Sequence, residues 1–161
     1  MQPKNPGVKR YLADMATVGF GPKMAWLAVA AEAEHVMDAL ELRDLGVVEP
    51  RTGLDLAHFT DDRVVVAVVD KWCLVAGKWL FRWNGIAALS MRLGVEVQYY
   101  STDRSLVMHR WARAYGADVQ MSDEDALIDE QDVFRTAAEW SVDPRALPVV
   151  SLHIAAVPVQ Q

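Results

Sequence analysis

Residues 63–82, with the sequence RVVVAVVDKWCLVAGKWLFR, decide the fold of this chain. Five valines between positions 64 and 69 suit a pleated surface that is buried on both sides, as in a central strand. After Asp70-Lys71, residues alternate between two faces through Trp79, which is the period of a returning strand. The stretch therefore predicts a β-hairpin at the centre of an antiparallel sheet.

The size and composition of the chain are those of one folded domain. With 161 residues, 52% of them apolar, the chain can bury a core without disulfides or a structural metal. No apolar run approaches the ~20 residues that span a bilayer, and the amino terminus lacks the apolar core of a secretion signal. With Cys73 as the single cysteine, no internal disulfide can form. We therefore expect a cytoplasmic protein that does not enter membranes.

Patterns outside the hairpin predict the rest of an α+β fold. Residues 1–23 are rich in Pro, Gly and basic residues, which predicts a flexible extension before a single domain over residues 24–161. Apolar spacings of three and four predict helices over 31–43 and 130–140, the first stopped by Gly46 and followed by a turn at 49–53. Asn84 and Gly94 bound a shorter helix. Because the connections at 70–71 and 102–104 are too short for parallel crossovers, we expect an antiparallel sheet of about five to six strands with two main helices packed against it.

The negative charge of the chain is concentrated in one region. The net charge is −6, yet residues 118–143 hold nine acidic residues and one Arg, which leaves the remainder at about +2 by subtraction. Binding to nucleic acid needs a basic face that displaces counterions from phosphates, and no Lys/Arg cluster of that kind is visible. We therefore expect no direct nucleic-acid binding.

The most acidic run, residues 123–132, is called the acidic segment below. Calcium loops need oxygen ligands at alternate positions and a Gly at the sixth, and this run has neither. Acids near a helix start complement the helix dipole, and a dense acidic run also attracts a basic partner. Its six carboxylates are therefore candidate partner-binding residues: Asp123, Glu124, Asp125, Asp129, Glu130 and Asp132.

Other polar groups are weaker candidates for chemistry. Glu32 and His35 have the spacing of half a di-iron site, but no second copy exists. Ser101, Asp103 and His109 have the residue types of a nucleophile triad, but Ser101 lacks a Gly-x-Ser-x-Gly elbow. The sequence therefore predicts no catalytic residue, no metal site and no cofactor.

One face of the strand that begins near Leu106 is a further candidate binding surface. His109, Trp111 and Arg113 alternate along it, so they share a face with Tyr115. Aromatic and Arg side chains on one sheet face are typical of a recognition surface. We add His109, Trp111 and Arg113 to the candidate partner-binding residues.

The order of local patterns resembles a family of small bacterial cytoplasmic proteins, some of which are encoded like immunity proteins for polymorphic toxins. The resemblance rests on MAWLAV at residue 24, DKWCLVAGKWLF at 70, VEVQYYSTDRSLVMHRWARAYG at 95 and AEWSVDPRAL at 138. It covers residues 24–150 and includes no catalytic motif. It implies a non-enzymatic protein that occludes a toxin.

Two functions follow as expectations. The first is an immunity protein that binds a basic toxin domain through its acidic surface, since toxins that attack nucleic acid present basic clefts. The second is a small enzyme or ligand-binding module with a polar pocket beside His109, Arg113 and Asp103. The sequence leaves the oligomeric state open.

Overall fold

A computed structural model of the protein describes residues 23–123, 128–145, 147 and 152–159. The central hairpin is confirmed: strands over 63–69 and 72–76 pair antiparallel and turn through Asp70, which has a φ of 53°. The returning strand is shorter than predicted, because it ends at Ala76 and residues 78–82, which include Trp79, form a 3-10 helix. Of the predicted extension, residues 1–23, only Lys23 belongs to the described residues, and it begins the first strand.

The described residues form one antiparallel sheet of eight strands and four α-helices. The strands are β1 (Lys23–Val29), β2 (Arg43–Val48), β3 (Arg63–Val69), β4 (Trp72–Ala76), β5 (Glu96–Asp103), β6 (Met108–Tyr115), β7 (Asp118–Met121) and β8 (Leu152–Ala156). The helices are α1 (Ala33–Ala39), α2 (Pro50–Phe59), α3 (Ile86–Leu93) and α4 (Glu130–Trp140), with a 3-10 helix over Lys78–Arg82.

The antiparallel α+β class is confirmed, but the expected count of five to six strands and two main helices is wrong. The predicted 31–43 helix ends early, because residues 43–48 pair with β8 as the edge strand β2, which contains Gly46. The predicted turn at 49–53 is the first part of α2, in which Glu49 accepts hydrogen bonds from the amides of Arg51 and Thr52. Proline is favoured at the first position of a helix, so Pro50 begins α2 where a turn was expected.

The strand order β2-β8-β3-β4-β1-β5-β6-β7 places the hairpin at the middle of the sheet. Every neighbouring pair is antiparallel. The strands therefore alternate in direction across the whole sheet. At one end of the sheet, β1, β2, β3 and β6 begin and β4, β5 and β8 end.

Helices cover both faces of the sheet. Helices α2 and α4 pack on one face, where Trp26 is fully buried and stacks with Tyr100 at 5.3 Å and with Phe134 of α4 at 5.6 Å between ring centroids. Helices α1 and α3 and the 3-10 helix cover the other face, over Leu27 and Val75. Two-sided burial explains why the central strands are apolar at successive positions.

Helix α3 follows the prediction closely. It spans Ile86–Leu93, with Leu89 buried, and ends at Gly94 in the left-handed conformation with a φ of 68°. A glycine accepts this conformation without steric cost, which makes it the usual residue after a helix. The cap at the start is Gly85 and not the predicted Asn84.

Candidate functional site

The carboxylates of the acidic segment begin helix α4. Asp129 accepts a hydrogen bond from the amide of Asp132 at 2.9 Å, and Asp132 accepts one from the amide of Asp129 at 2.9 Å. This reciprocal capping box satisfies two amides that the first turn of a helix leaves without partners. Two of the six candidate acids therefore also hold the start of α4.

The third described acid of the helix start is ion-paired. Glu130, whose side chain is 17% exposed, accepts hydrogen bonds from Arg104 at 2.9 and 3.2 Å. Arg104 lies in the turn between β5 and β6, so this pair connects α4 to the β5–β6 hairpin. Asp123 is exposed and follows β7, while Glu124 and Asp125 lie outside the described residues.

Asp132 remains negatively charged while it takes part in the capping box of α4. The pKa of Asp132 is lowered, chiefly by the hydrogen bond from the Asp129 amide and with a contribution from Arg135, 3.1 Å away. Asp132 is therefore ionised at neutral pH. Glu130 and Asp143 each pair with an arginine from outside residues 118–143, Glu130 with Arg104 and Asp143 with Arg145.

Two of the three candidate residues on β6 contact helix α4. The ring of Trp111 meets Trp140 edge to face at 5.0 Å between centroids. The Arg113 guanidinium lies 4.5 Å from the centre of the Trp140 ring, and its Nε is 2.9 Å from a carboxylate oxygen of Glu96. The structure therefore brings Trp111 and Arg113 together as the seat for the end of α4.

A buried polar network supports that seat, and the sequence did not reveal it. The Gln98 amide nitrogen donates to Glu96 at 2.8 Å and to the Trp140 carbonyl at 3.3 Å, and Gln98 accepts from the Tyr100 hydroxyl at 2.8 Å. Both Gln98 and Tyr100 are fully buried. A fully buried Gln is costly unless its amide is hydrogen-bonded, so the network holds α4 in one position on the sheet.

The structure separates the groups of the predicted polar pocket. His109 pairs with Thr102 across the β5–β6 ladder, so Ser101 and Asp103, which flank Thr102, point to the opposite face. His109 is partly exposed, and its Nδ1 is buried with no hydrogen-bond partner among the described residues. Neither the nucleophile triad nor a pocket that joins Asp103 to His109 and Arg113 is assembled.

A broad cleft, called the end cleft below, lies at the end of the sheet where β1, β2, β3 and β6 begin and β5 and β8 end. Its volume is about 1190 Å³. It is lined by the 3-10 helix, by Asp103 at the end of β5 and by the segment that follows β8, and it includes neither His109 nor Arg113. Sequence patterns did not predict this site, because its lining residues come from seven separate parts of the chain and share no local pattern.

The lining of the end cleft is cationic and aromatic, although the protein as a whole is acidic. The anionic residues are Glu41, Asp61, Asp62 and Asp103, and the cationic ones are Lys23, Arg43, Arg63, Lys78, Arg82 and Arg110. Aromatic walls are formed by Trp79, Phe81, Trp83 and Tyr99. The lining therefore holds more positive than negative side chains.

Contacts between the wall residues hold the rings in place. The Tyr99 hydroxyl donates to the Leu80 carbonyl at 2.9 Å, and the Trp83 ring stacks on Tyr99 at 6.4 Å between centroids. The 3-10 helix follows Gly77, where a Cβ atom would lie 2.9 Å from Val64 and 3.1 Å from a backbone oxygen of β3. Only glycine lets the chain approach β3 this closely, so the wall begins at a defined place.

The other polar candidates are dispersed. Glu32, the residue before helix α1, and His35 within that helix are both exposed. In the parts of the chain that the structure describes, no three His, Cys, Asp or Glu side chains are grouped as metal ligands would be. Cys73 is fully buried in β4, and burial raises the pKa of its thiol to about 12. No helix within the described ranges is long and apolar enough to cross a bilayer.

Comparisons of this chain with protein-family models, with curated proteins and with solved structures found no match. The function is therefore inferred from the geometry of the molecule and from its sequence.

Proposed function

We propose that this chain is a non-enzymatic binding protein that inhibits a basic partner protein, a toxin domain, through its acidic segment. The observation that supports the proposal is the density of carboxylates at the start of α4. Capping needs Asp129 and Asp132, and docking to the β5–β6 hairpin uses Glu130. Six acids in ten residues exceed what these contacts require.

The position of the segment suits a docking surface. It connects β7, the last strand of the sheet order, to α4, which is fixed to the sheet by Trp140 and by the Gln98 network. Asp129, Glu130 and Asp132 are therefore held in place at the start of α4, and groups that are ordered before they bind lose less conformational entropy when a partner docks. Clustered carboxylates on such a surface steer a cationic partner and speed association.

A toxin is the partner class that the sequence resemblance favours. Toxins that attack nucleic acid carry basic clefts for their substrate, and an acidic inhibitor surface complements such a cleft. The inhibitor then needs no catalytic group, because it acts by covering the site of its target.

The test uses the product of the reading frame that adjoins this gene, since an immunity protein is expected to be encoded beside its toxin. We expect cells that express this product to be rescued by co-expression of the wild-type chain. The variant D123N/E124Q/D125N removes three charges that the capping box does not use, and we expect it to lose the rescue.

The matched control is E32Q/E34Q/D38N, which removes three exposed charges from α1 and from the residue before it, on the other face of the sheet. We expect this control to rescue like the wild type, with thermal melts verifying that both variants are folded. Full rescue by the D123N/E124Q/D125N variant would contradict the proposal.

A further inference from the structure

The end cleft carries an inference that is independent of toxin inhibition, because it lies on the side of the molecule away from the α4 seat. The cleft is formed by the 3-10 helix and by the strand ends, and α4 contributes no lining residue. Its chemistry is also opposite in sign to that of the acidic segment.

Ion pairs account for three of the cations that line the cleft. Lys23 lies 3.8 Å from Asp103, Arg63 lies 3.1 Å from Asp62, and Lys78 lies 3.7 Å from Asp61. These pairs leave Glu41 as the one remaining acid among the lining residues.

Two arginines of the cleft have no side-chain partner within the described ranges. Arg43, at the start of β2, and Arg82, at the end of the 3-10 helix, are both exposed and make no hydrogen bond or ion pair with a described residue. Arginine presents a planar fork of donors that matches the oxygens of a phosphate. One guanidinium group can donate to both oxygens of a carboxylate, whereas a phosphate has enough oxygens to accept hydrogen bonds from two guanidinium groups.

The aromatic walls add a second requirement for the ligand. Trp79, Trp83 and Tyr99 are half-buried. Each ring packs against the core on one side and leaves part of its surface accessible to a ligand. Aromatic side chains beside arginines bind planar rings such as nucleobases by stacking.

We propose that the end cleft binds a ligand that joins a phosphate to a planar ring, which is the chemistry of a nucleotide. Arg43 and Arg82 hold the phosphate, and the Trp83–Tyr99 wall holds the ring. The volume of about 1190 Å³ is above the ~300–1,000 Å³ of common small-molecule pockets, so the cleft has room for a free nucleotide or for a short strand of nucleotides.

The full chain is titrated by calorimetry with four probes: adenosine monophosphate, adenosine, inorganic phosphate and a short oligothymidylate. Adenosine monophosphate is expected to bind more tightly than adenosine or phosphate, because only it engages both the arginines and the ring wall. Tighter binding of the oligothymidylate than of the monophosphate would assign the natural ligand to a strand, and the reverse order would assign it to a free nucleotide.

The variant R43Q/R82Q is expected to weaken binding of the monophosphate at least about tenfold, the loss that charge-assisted hydrogen bonds imply. The matched control is R92Q/R135Q, which removes two exposed arginines that do not line the cleft. Trp83→Leu is expected to weaken binding of the monophosphate and to leave binding of phosphate alone unchanged.

Three results would overturn the proposal. These are no measurable binding of any probe, monophosphate binding no tighter than that of adenosine and phosphate, and equal losses in R43Q/R82Q and R92Q/R135Q. Because none of these titrations involves the toxin partner, their outcome is separate from that of the inhibition test.

Discussion

Replacing Asp129 separates the hydrogen bond that caps α4 from the negative charge at the helix start. Asp129 caps α4 through a 2.9 Å hydrogen bond from the amide of Asp132. Asp129→Ala removes this acceptor, and loss of a helix cap costs about 0.5–2 kcal/mol, typically near 1. For a domain of this size, 1 kcal/mol lowers the melting temperature by about 2–4 °C.

Asp129→Asn is the matched variant, because it removes the charge and keeps the oxygen that accepts the amide. Asn and Asp are about equal as caps, so only the interaction of the charge with the helix dipole is lost, at a few tenths of a kcal/mol. We expect Asp129→Asn to melt within about 1 °C of the wild type at high salt, where screening weakens the dipole interaction.

Urea unfolding and thermal melts of the three proteins, at low and high salt, measure both effects. A loss below about 0.3 kcal/mol in Asp129→Ala would refute the capping role. An equal loss in Asp129→Ala and Asp129→Asn would show that α4 depends on the charge and not on the hydrogen bond.

Three further predictions test the fold. Trp26→Ala should lower the free energy of unfolding by about 3–5 kcal/mol, because the ring is fully buried between two aromatic rings, and a loss below 1 kcal/mol in urea unfolding would place it outside the core. The Cys73 thiol, with a pKa raised by burial to about 12, should react with Ellman's reagent at neutral pH only after unfolding, and rapid labelling of the native protein would contradict its burial. The pKa of Asp44 lies below its ordinary value of 3.8 because the Gly46 amide and His153 hydrogen-bond to the carboxylate, so its contribution to stability is present above that value and is lost as the pH falls below it. Asp44→Asn should therefore flatten the acid limb of a melting-temperature profile, and an unchanged profile would show that the Asp44 contacts do not form.

Sequence patterns predicted the parts of this fold in which local signals and burial agree. The hairpin around Asp70-Lys71 has β-branched residues and a short turn, and α3 has an apolar stripe and a terminal Gly94. Strand β2 was not predicted because it is an edge strand with mostly exposed residues. Helix α2 was not predicted because Pro50 and Gly53 are residues typical of a turn. Pro50 after Glu49 is also a helix-start pattern, and this signal could have identified α2.

The candidate site was predicted only where its residues are adjacent in the sequence. The acidic segment was visible as a run, and the structure adds that Asp129 and Asp132 cap α4. Trp111 and Arg113 share a face as predicted, but only the fold shows that Trp140 covers them. The end cleft is lined by residues from distant parts of the chain, such as Arg43 of β2 and Arg82 of the 3-10 helix, and no local sequence pattern predicts that they line the same cleft.

The most direct test of the proposed function is the rate of association between this chain and its basic partner across a series of salt concentrations. Stopped-flow measurements compare the wild type with D123N/E124Q/D125N and with the control E32Q/E34Q/D38N. Because screening shortens the reach of surface charges to about 8–10 Å near physiological salt, the acidic-segment variant should associate much more slowly than the other two at low salt and at a similar rate at high salt. Equal rates for all three proteins at low salt would contradict steering by the acidic segment.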